Sequence, residues 1–268
     1  MNRAVQGAVD GIDTFWLEED ARGAAPVLYV HGVPTNADVW LPFLERTGGL
    51  APDLPGFGRS AKLAGFDYSV AGYRDYLRAF VDERGLERFS LVMHDWGAGL
   101  GLALAQAVPE RVERLVVIDA VPLLPGYRWH RIARAWRTPV LGELAMGFTF
   151  RWNARLQLRE ATTRPGGMPD EFVDLVYRHF DHGTQRAILK LYRSAPPAVL
   201  EREGARLGEI GSPALVLWGE RDPYIPTSFA HAYGDALGAE VEVLDGAGHW
   251  PWIDRPETVD RVSRFLLG

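Results

Sequence analysis

The feature that most constrains the fold is a strand that passes into a helix with no linker between them. Phe89 to Met93 is a short, β-favouring apolar run, and the small-residue stretch Gly97 to Ala107 follows at once with helical character. The same rhythm surrounds this junction. Val27-Leu28-Tyr29-Val30 reads as a buried strand ending in the turn His31-Gly32-Val33-Pro34, and Trp40, Leu41, Phe43 and Leu44 then recur at helical spacing. Leu50 to Asp53 is a short strand running into the loop signal Pro55-Gly56-Phe57-Gly58. Tyr73, Leu77, Phe80 and Val81 mark an amphipathic helix that gives out at Gly85, and Leu115 to Ile118 is another strand. Strand, helix, strand in this order implies right-handed crossovers and a mostly parallel sheet with helices on both faces.

The rhythm breaks at Val121. From there to about Ala205 the pattern is helical, rich in Arg and Trp, with no convincing strand; it resumes with Ala214 to Trp218, Val241 to Leu244 and a final helix from about Glu257 to Leu267. The expectation is an α/β core of residues 1–121 and 206–268 with a helical cap, 122–205, inserted into it, too long and too periodic for a plain loop. Arg128 to Arg137 suits a cap helix, with Arg at every third position and Trp129, Ile132 and Trp136 on another stripe. A basic, aromatic stretch also suits a membrane or nucleic-acid surface. The net charge of −6 opposes a broad polyanion-binding face, so neither nucleic acid nor membrane is expected as a partner. Absence of cysteine excludes disulfides and thiolate chemistry. The first twenty residues carry acids where a secretory signal needs an apolar stretch, and no run of about 18 apolar residues occurs, so a cytoplasmic location is expected. A homodimer is left open.

Three strand ends carry chemistry. Asp95, in Met93-His94-Asp95-Trp96-Gly97, sits where an abrupt strand-to-helix turn holds a side chain strained and exposed to a reactant. A carboxylate is already an anion at neutral pH and can displace a leaving group at saturated carbon, leaving an alkyl ester that water must cleave with the help of a base. His249 follows the last strand and Asp222 the strand before it; the order nucleophile, acid, histidine is that of a catalytic triad, with Asp222 fixing the imidazole tautomer. Asp119, at the end of the strand Leu115 to Ile118, is the other candidate acid. The backbone N–H groups of Val33 and Trp96 form a candidate oxyanion hole. Asp53 to Ser60 reads as a structural turn, His31 and His94 as structural histidines, and His179 and His182 as a solvated helix end; neither a metal nor another cofactor is expected.

Taken as a set, HGVPT, DLPGFGRS, HDWGA, WGERDP and GAGHWPW resemble the α/β-hydrolase group that contains epoxide hydrolases and haloalkane dehalogenases. The resemblance covers about residues 20–120 and 210–268 and implies the α/β-hydrolase fold, Asp95 as nucleophile, His249 as base, Asp222 as acid and the insertion as a cap over the pocket. Leu189-Lys190-Leu191-Tyr192-Arg193 is similar to the cap motif of epoxide hydrolases, which implies that Tyr192 donates to the epoxide oxygen, with Tyr127 and Tyr177 as options for a second phenol. The dehalogenase alternative implies indole N–H donors to halide from Trp96 and from Trp129, Trp136 or Trp152, with Val33 standing where many of those enzymes have Asn. Trp96, Trp129 and Trp136 are therefore candidate substrate contacts. The expected partners are a small apolar electrophile and water. Epoxide hydrolysis to a vicinal diol is the leading expectation, haloalkane dehalogenation the alternative, and a non-catalytic small-ligand binder the alternative of another class.

Overall fold

The computed structural model describes residues 3–268. Eight strands form one sheet in the order β1-β2-β4-β3-β5-β6-β7-β8. They are β1 (Arg3–Val9), β2 (Ile12–Glu19), β3 (Val27–Val30), β4 (Gly49–Pro52), β5 (Phe89–His94), β6 (Val112–Ile118), β7 (Ala214–Gly219) and β8 (Glu240–Leu244). β1 and β2 pair antiparallel, as do β2 and β4, and every pairing from β4 through β3 to β8 is parallel. The architecture is the α/β-hydrolase fold. β5 and β7 are buried throughout their length and read as near-continuous apolar runs, as strands covered on both faces must.

Alternate residues of each strand feed two separate apolar clusters, one per face of the sheet. Leu28, Val30, Leu91 and Val117 join the helices α2 (Val70–Glu83) and α3 (Trp96–Ala107) on one side. Val27, Tyr29, Val92 and Val116 join α1 (Leu41–Thr47) and the carboxyl-terminal α12 (Glu257–Leu267) on the other. Between β6 and β7 the chain makes six α-helices: α4 (Arg131–Arg137), α5 (Leu141–Gly147), α6 (Arg151–Leu158), α7 (Asp170–Arg178), α8 (His182–Ser194) and α9 (Pro197–Glu203). After β7 come α10 (Ser228–Leu237) and the short α11 (Pro251–Asp254).

The parallel strands β3 and β5 to β8 share one direction, so the turns after them gather at a single edge of the sheet. That is the edge at which open α/β sheets place their ligands. The hairpin β1–β2 was not anticipated from the sequence. No helix among the described residues is long and apolar enough to cross a membrane.

Candidate active site

Asp95 occupies the junction of β5 and α3 with φ 52° and ψ −124°, a left-handed-side conformation uncommon for a residue with a side chain. The junction closes only because small residues flank it. A Cβ on Gly97 would lie 2.1 Å from the carbonyl oxygen of Val30, and one on Gly32 would lie 2.5 Å from the Asp95 Cβ. The tight turn thus pushes the carboxylate toward the loop after β3, where the Val33 N–H donates to its Oδ2 at 2.8 Å. The Trp96 N–H also bonds to this carboxylate. The other oxygen, Oδ1, lies 3.7 Å from His249 Nε2. His249 Nδ1 donates to Asp222 Oδ2 at 2.9 Å, and Asp222 Oδ1 accepts the N–H groups of Tyr224 and Ile225 at 2.7 and 3.2 Å. All three groups expected from the sequence therefore converge, and the Val33 and Trp96 N–H groups both act on the Asp95 carboxylate.

Burial pushes the Asp95 carboxyl up to about 6, against the pull of His249 and the two backbone N–H bonds. Burial pulls the His249 imidazole down, but the Asp222 charge and hydrogen bond and the Asp95 charge outweigh it, and the net shift is upward. Asp119 lies behind Asp222, fully buried at φ 40°, with Oδ1 accepting the Gly219 N–H at 2.9 Å. Asp119, Asp222 and His249 each bring one oxygen or nitrogen within 4.8 Å of the others. Burial first, and the Asp222 charge second, push the Asp119 carboxyl well above its ordinary value. Asp222, not Asp119, holds the imidazole.

The supporting histidines and acid are structural. His94 is fully buried and its Nε2 bonds to the His249 carbonyl oxygen at 2.7 Å, which fixes the backbone that carries the imidazole. His31 accepts the Leu54 N–H on Nε2 at 3.0 Å. Asp53 is buried and bonds to Ala37 and Arg59, pinning its turn beneath the site.

Asp95 and His249 open into a cavity walled on one side by the inserted segment, including Trp129, Ile132, Trp136, Val176, Phe180 and Tyr192, and on the other by core residues such as Val33, Ile225 and Trp250. Tyr192 is 4 % exposed, and burial, reinforced by the Asp95 charge, pushes its phenol well above its ordinary value, so it keeps its proton. Tyr127 also lines the cavity; its hydroxyl is buried without a hydrogen-bond partner among the described residues, and burial and the Asp95 charge raise it as well. Tyr177 lies on the wall, half-buried.

The tryptophans differ from expectation. The Trp96 ring is not on the cavity wall: it is fully buried, stacked on Trp129 at 5.4 Å and edge-on to Tyr192 at 5.1 Å. Trp129 does line the cavity, but its N–H is taken by the Ala195 carbonyl at 3.0 Å and is not free for a halide. Trp136 is on the wall, and Trp152 points to solvent at 71 % exposure. Tyr224 was missed: it lines the cavity and meets the His249 ring edge-on at 5.0 Å. Its place two residues after Asp222, at a strand end, was the available signal.

Comparison with known proteins agrees with this layout. The profile described as "Alpha/beta hydrolase family" matches residues 27–262. A haloalkane dehalogenase of Mycolicibacterium paratuberculosis is 30% identical over 92% of this chain and 85% of its own length. Two solved structures share the fold: haloalkane dehalogenase DbeA from Bradyrhizobium elkani USDA94 (24% identity, TM-score 0.85, 99% of this chain and 98% of that one) and epoxide hydrolase CorEH (19% identity, TM-score 0.84, 99% and 98%). With nucleophile-type, acid and histidine turns in register at the ends of β5, β7 and β8, the chain belongs to the α/β-hydrolase family, in the group of epoxide hydrolases and haloalkane dehalogenases.

Proposed function

We propose that this hydrolase works through a covalent ester on Asp95 and that its substrates are epoxides, which it converts to vicinal diols. The observation that carries the reading is the division of labour between the two Asp95 oxygens: Oδ2 accepts the Val33 N–H while Oδ1 faces His249 and the cavity that holds Tyr192 and Tyr127. Oδ1 attacks an epoxide carbon, the carbon–oxygen bond of the ring breaks, and the electron pair stays on the ring oxygen, which takes a proton from Tyr192. His249 Nε2 then accepts a proton from water as the water oxygen adds to Cγ of the ester. The negative charge collects on Oδ2, where the Val33 and Trp96 N–H groups stabilise it by a few kcal/mol each. Collapse breaks the Cγ–Oδ1 bond: the departing alkoxide takes the proton held on His249, the remaining proton of the water returns to Tyr192, and the diol leaves with the Asp95 carboxylate restored, Asp222 holding the imidazolium in between.

Two protonated phenols beside Asp95 favour the epoxide, because a developing alkoxide needs a proton and a departing halide does not. A second reading, haloalkane dehalogenation, is supported by the similarity to the Mycolicibacterium dehalogenase. The test is mass spectrometry of His249→Gln incubated with aryl and alkyl epoxides and, separately, with haloalkanes. An ester on the peptide containing Asp95, trapped from epoxides, is expected. Trapping only from haloalkanes assigns the second reading, and full turnover by Asp95→Ala overturns both.

A further inference from the structure

We infer that the mouth of the cavity is a docking face for an anionic lipid bilayer. Seven of the nine large apolar side chains that stand exposed among the described residues fall between residues 140 and 156, on α5 and its N-cap Val140, on α6 and on the turn joining the two helices. Leu144 is 53 % exposed, Phe148 66 %, Trp152 71 % and Leu156 63 %. An exposed apolar concentration of this kind on a globular protein marks a contact surface.

Charge selects the occupant. Residues 122–205 hold 13 Lys and Arg against 8 Asp and Glu, a net of +5, while the rest of the chain holds 16 against 27, a net of −11. On α6, Trp152 and Leu156 form one stripe and Arg151 and Arg155 the adjoining one, continued by Arg159. Apolar and arginine stripes side by side are the pattern of a helix lying in a bilayer interface, the rings among acyl chains and the guanidinium groups among phosphates. Four carboxylates share this surface. Asp174 and Asp170 pair with Arg151 and Arg155, Glu143 pairs with Arg193, and Glu160 lies 3.8 Å from Arg131. Arg134 and Arg159 make no ion pair among the described residues, and they supply the surplus.

The patch adjoins the site. A surface groove that contains Leu156 shares Ile132, Trp136, Thr149 and Gln157 with the wall of the catalytic cavity. A molecule leaving the acyl chains would thus find Leu156, Ile132 and Trp136 along its way to Asp95. Such a peripheral contact needs no spanning helix. It departs from the expectation of no membrane partner, which was drawn from whole-chain charge, and it holds whichever reaction the site runs.

The experiment is co-sedimentation of the whole protein with vesicles of phosphatidylcholine alone and of phosphatidylcholine mixed with phosphatidylglycerol, at low and high salt. Binding to the mixed vesicles only, lost at high salt, is expected. The double variant Arg134→Gln/Arg159→Gln should bind them about 30-fold more weakly, at about 1 kcal/mol per arginine. Trp152→Ser should weaken binding by about tenfold; both variants change exposed side chains, and circular dichroism checks that they fold. Absence of binding to mixed vesicles, or binding that neither variant weakens, overturns the inference. So does a dimer in sedimentation velocity that Trp152→Ser dissociates, since a second copy would then cover the face.

Discussion

Asp95 is held in a state that its surroundings disfavour. With its carboxyl near 6 instead of 3.8, keeping it ionised at neutral pH costs about 2–3 kcal/mol at about 1.4 kcal/mol per unit. A raised acid binds its proton more tightly folded than unfolded, so its contribution to stability falls as pH rises from about 4 to about 6 and is level above. Asp95→Asn, whose amide can face the lone pair of His249 Nε2, is expected to be more stable than the native chain by about 2 kcal/mol at pH 7. Urea unfolding across pH should show that gain appearing between those two values; a gain independent of pH would mean the carboxyl is not strained by burial. Behind it, Asp119 is held toward its protonated form by burial and by the Asp222 charge, and its buried Oδ2 has no other hydrogen-bond partner among the described residues. Replacing a neutral acid by a neutral amide should leave the field at His249 intact. In NMR titrations of the imidazole, Asp119→Asn is expected to keep the native midpoint, whereas Asp222→Asn lowers it by about a unit or more. A drop of that size in Asp119→Asn would show that Asp119 is charged.

At the scale of elements, the Tyr192-Arg193 pair of α8 has two distinct jobs. Tyr192 turns into the cavity, while Arg193 reaches back to the Trp136 carbonyl at 3.2 Å and to Glu143 at 2.6 and 2.8 Å, tying α8 to α4 and α5. The Tyr192 carbonyl is itself bonded by Arg137 of α4. Arg193→Ala should therefore loosen α8 without touching the sheet. Its bonds are partly exposed and screened, so amide exchange in α8 is expected to quicken severalfold while β5 to β7 stay protected. Equal quickening in the strands would mean that the clasp stabilises the whole molecule and not one wall. The strand ends were legible in the sequence because buried parallel strands are short apolar runs with obligatory turns after them, and Asp95, Asp222 and His249 sit in those turns. The hairpin β1–β2 left a weaker trace. Asp10 and Gly11 both have positive φ, 49° and 73°, which is the two-residue turn that Asp-Gly favours. But β1 is an edge strand whose burial alternates from Val5 to Val9 with Gly7 at one inward position and Ala4 and Ala8 at outward ones, so the residue types blur the alternation that marks a half-buried strand. Cavity walls were the least legible. The stripe of Trp129, Ile132 and Trp136 was visible, but which N–H a neighbouring carbonyl would consume depends on how α4 packs against the end of α8.

At the scale of the whole molecule, the sequence divides into a core and an insertion, but the apolar contacts do not respect that division. Tyr127, Trp129, Ala187 and Tyr192 belong to the same buried cluster as Trp96, Phe57 and Met93. On the other face, Leu158, Met168, Phe172 and Val176 belong with Trp250, Trp252 and α12. Polar ties cross the boundary too. Lys62 bonds to Asp181 and to the His179 carbonyl, Lys190 to the Ala64 carbonyl, Gln106 to the Glu203 carbonyl, and the His249 N–H to the Ala161 carbonyl. Unfolding the insertion alone would put Trp96, Phe57 and Trp250 into water, at about 1.5–3 kcal/mol for each large apolar side chain uncovered. Loss of those contacts is shared by both parts, so neither gains by opening first. The expected behaviour is one cooperative transition, with calorimetric and van't Hoff enthalpies equal and with far-UV and near-UV circular dichroism melting together. Two separated transitions, the earlier one removing helix and leaving the sheet, would instead make the insertion a domain with its own stability, and the cavity wall would then be free to open while the triad stays assembled.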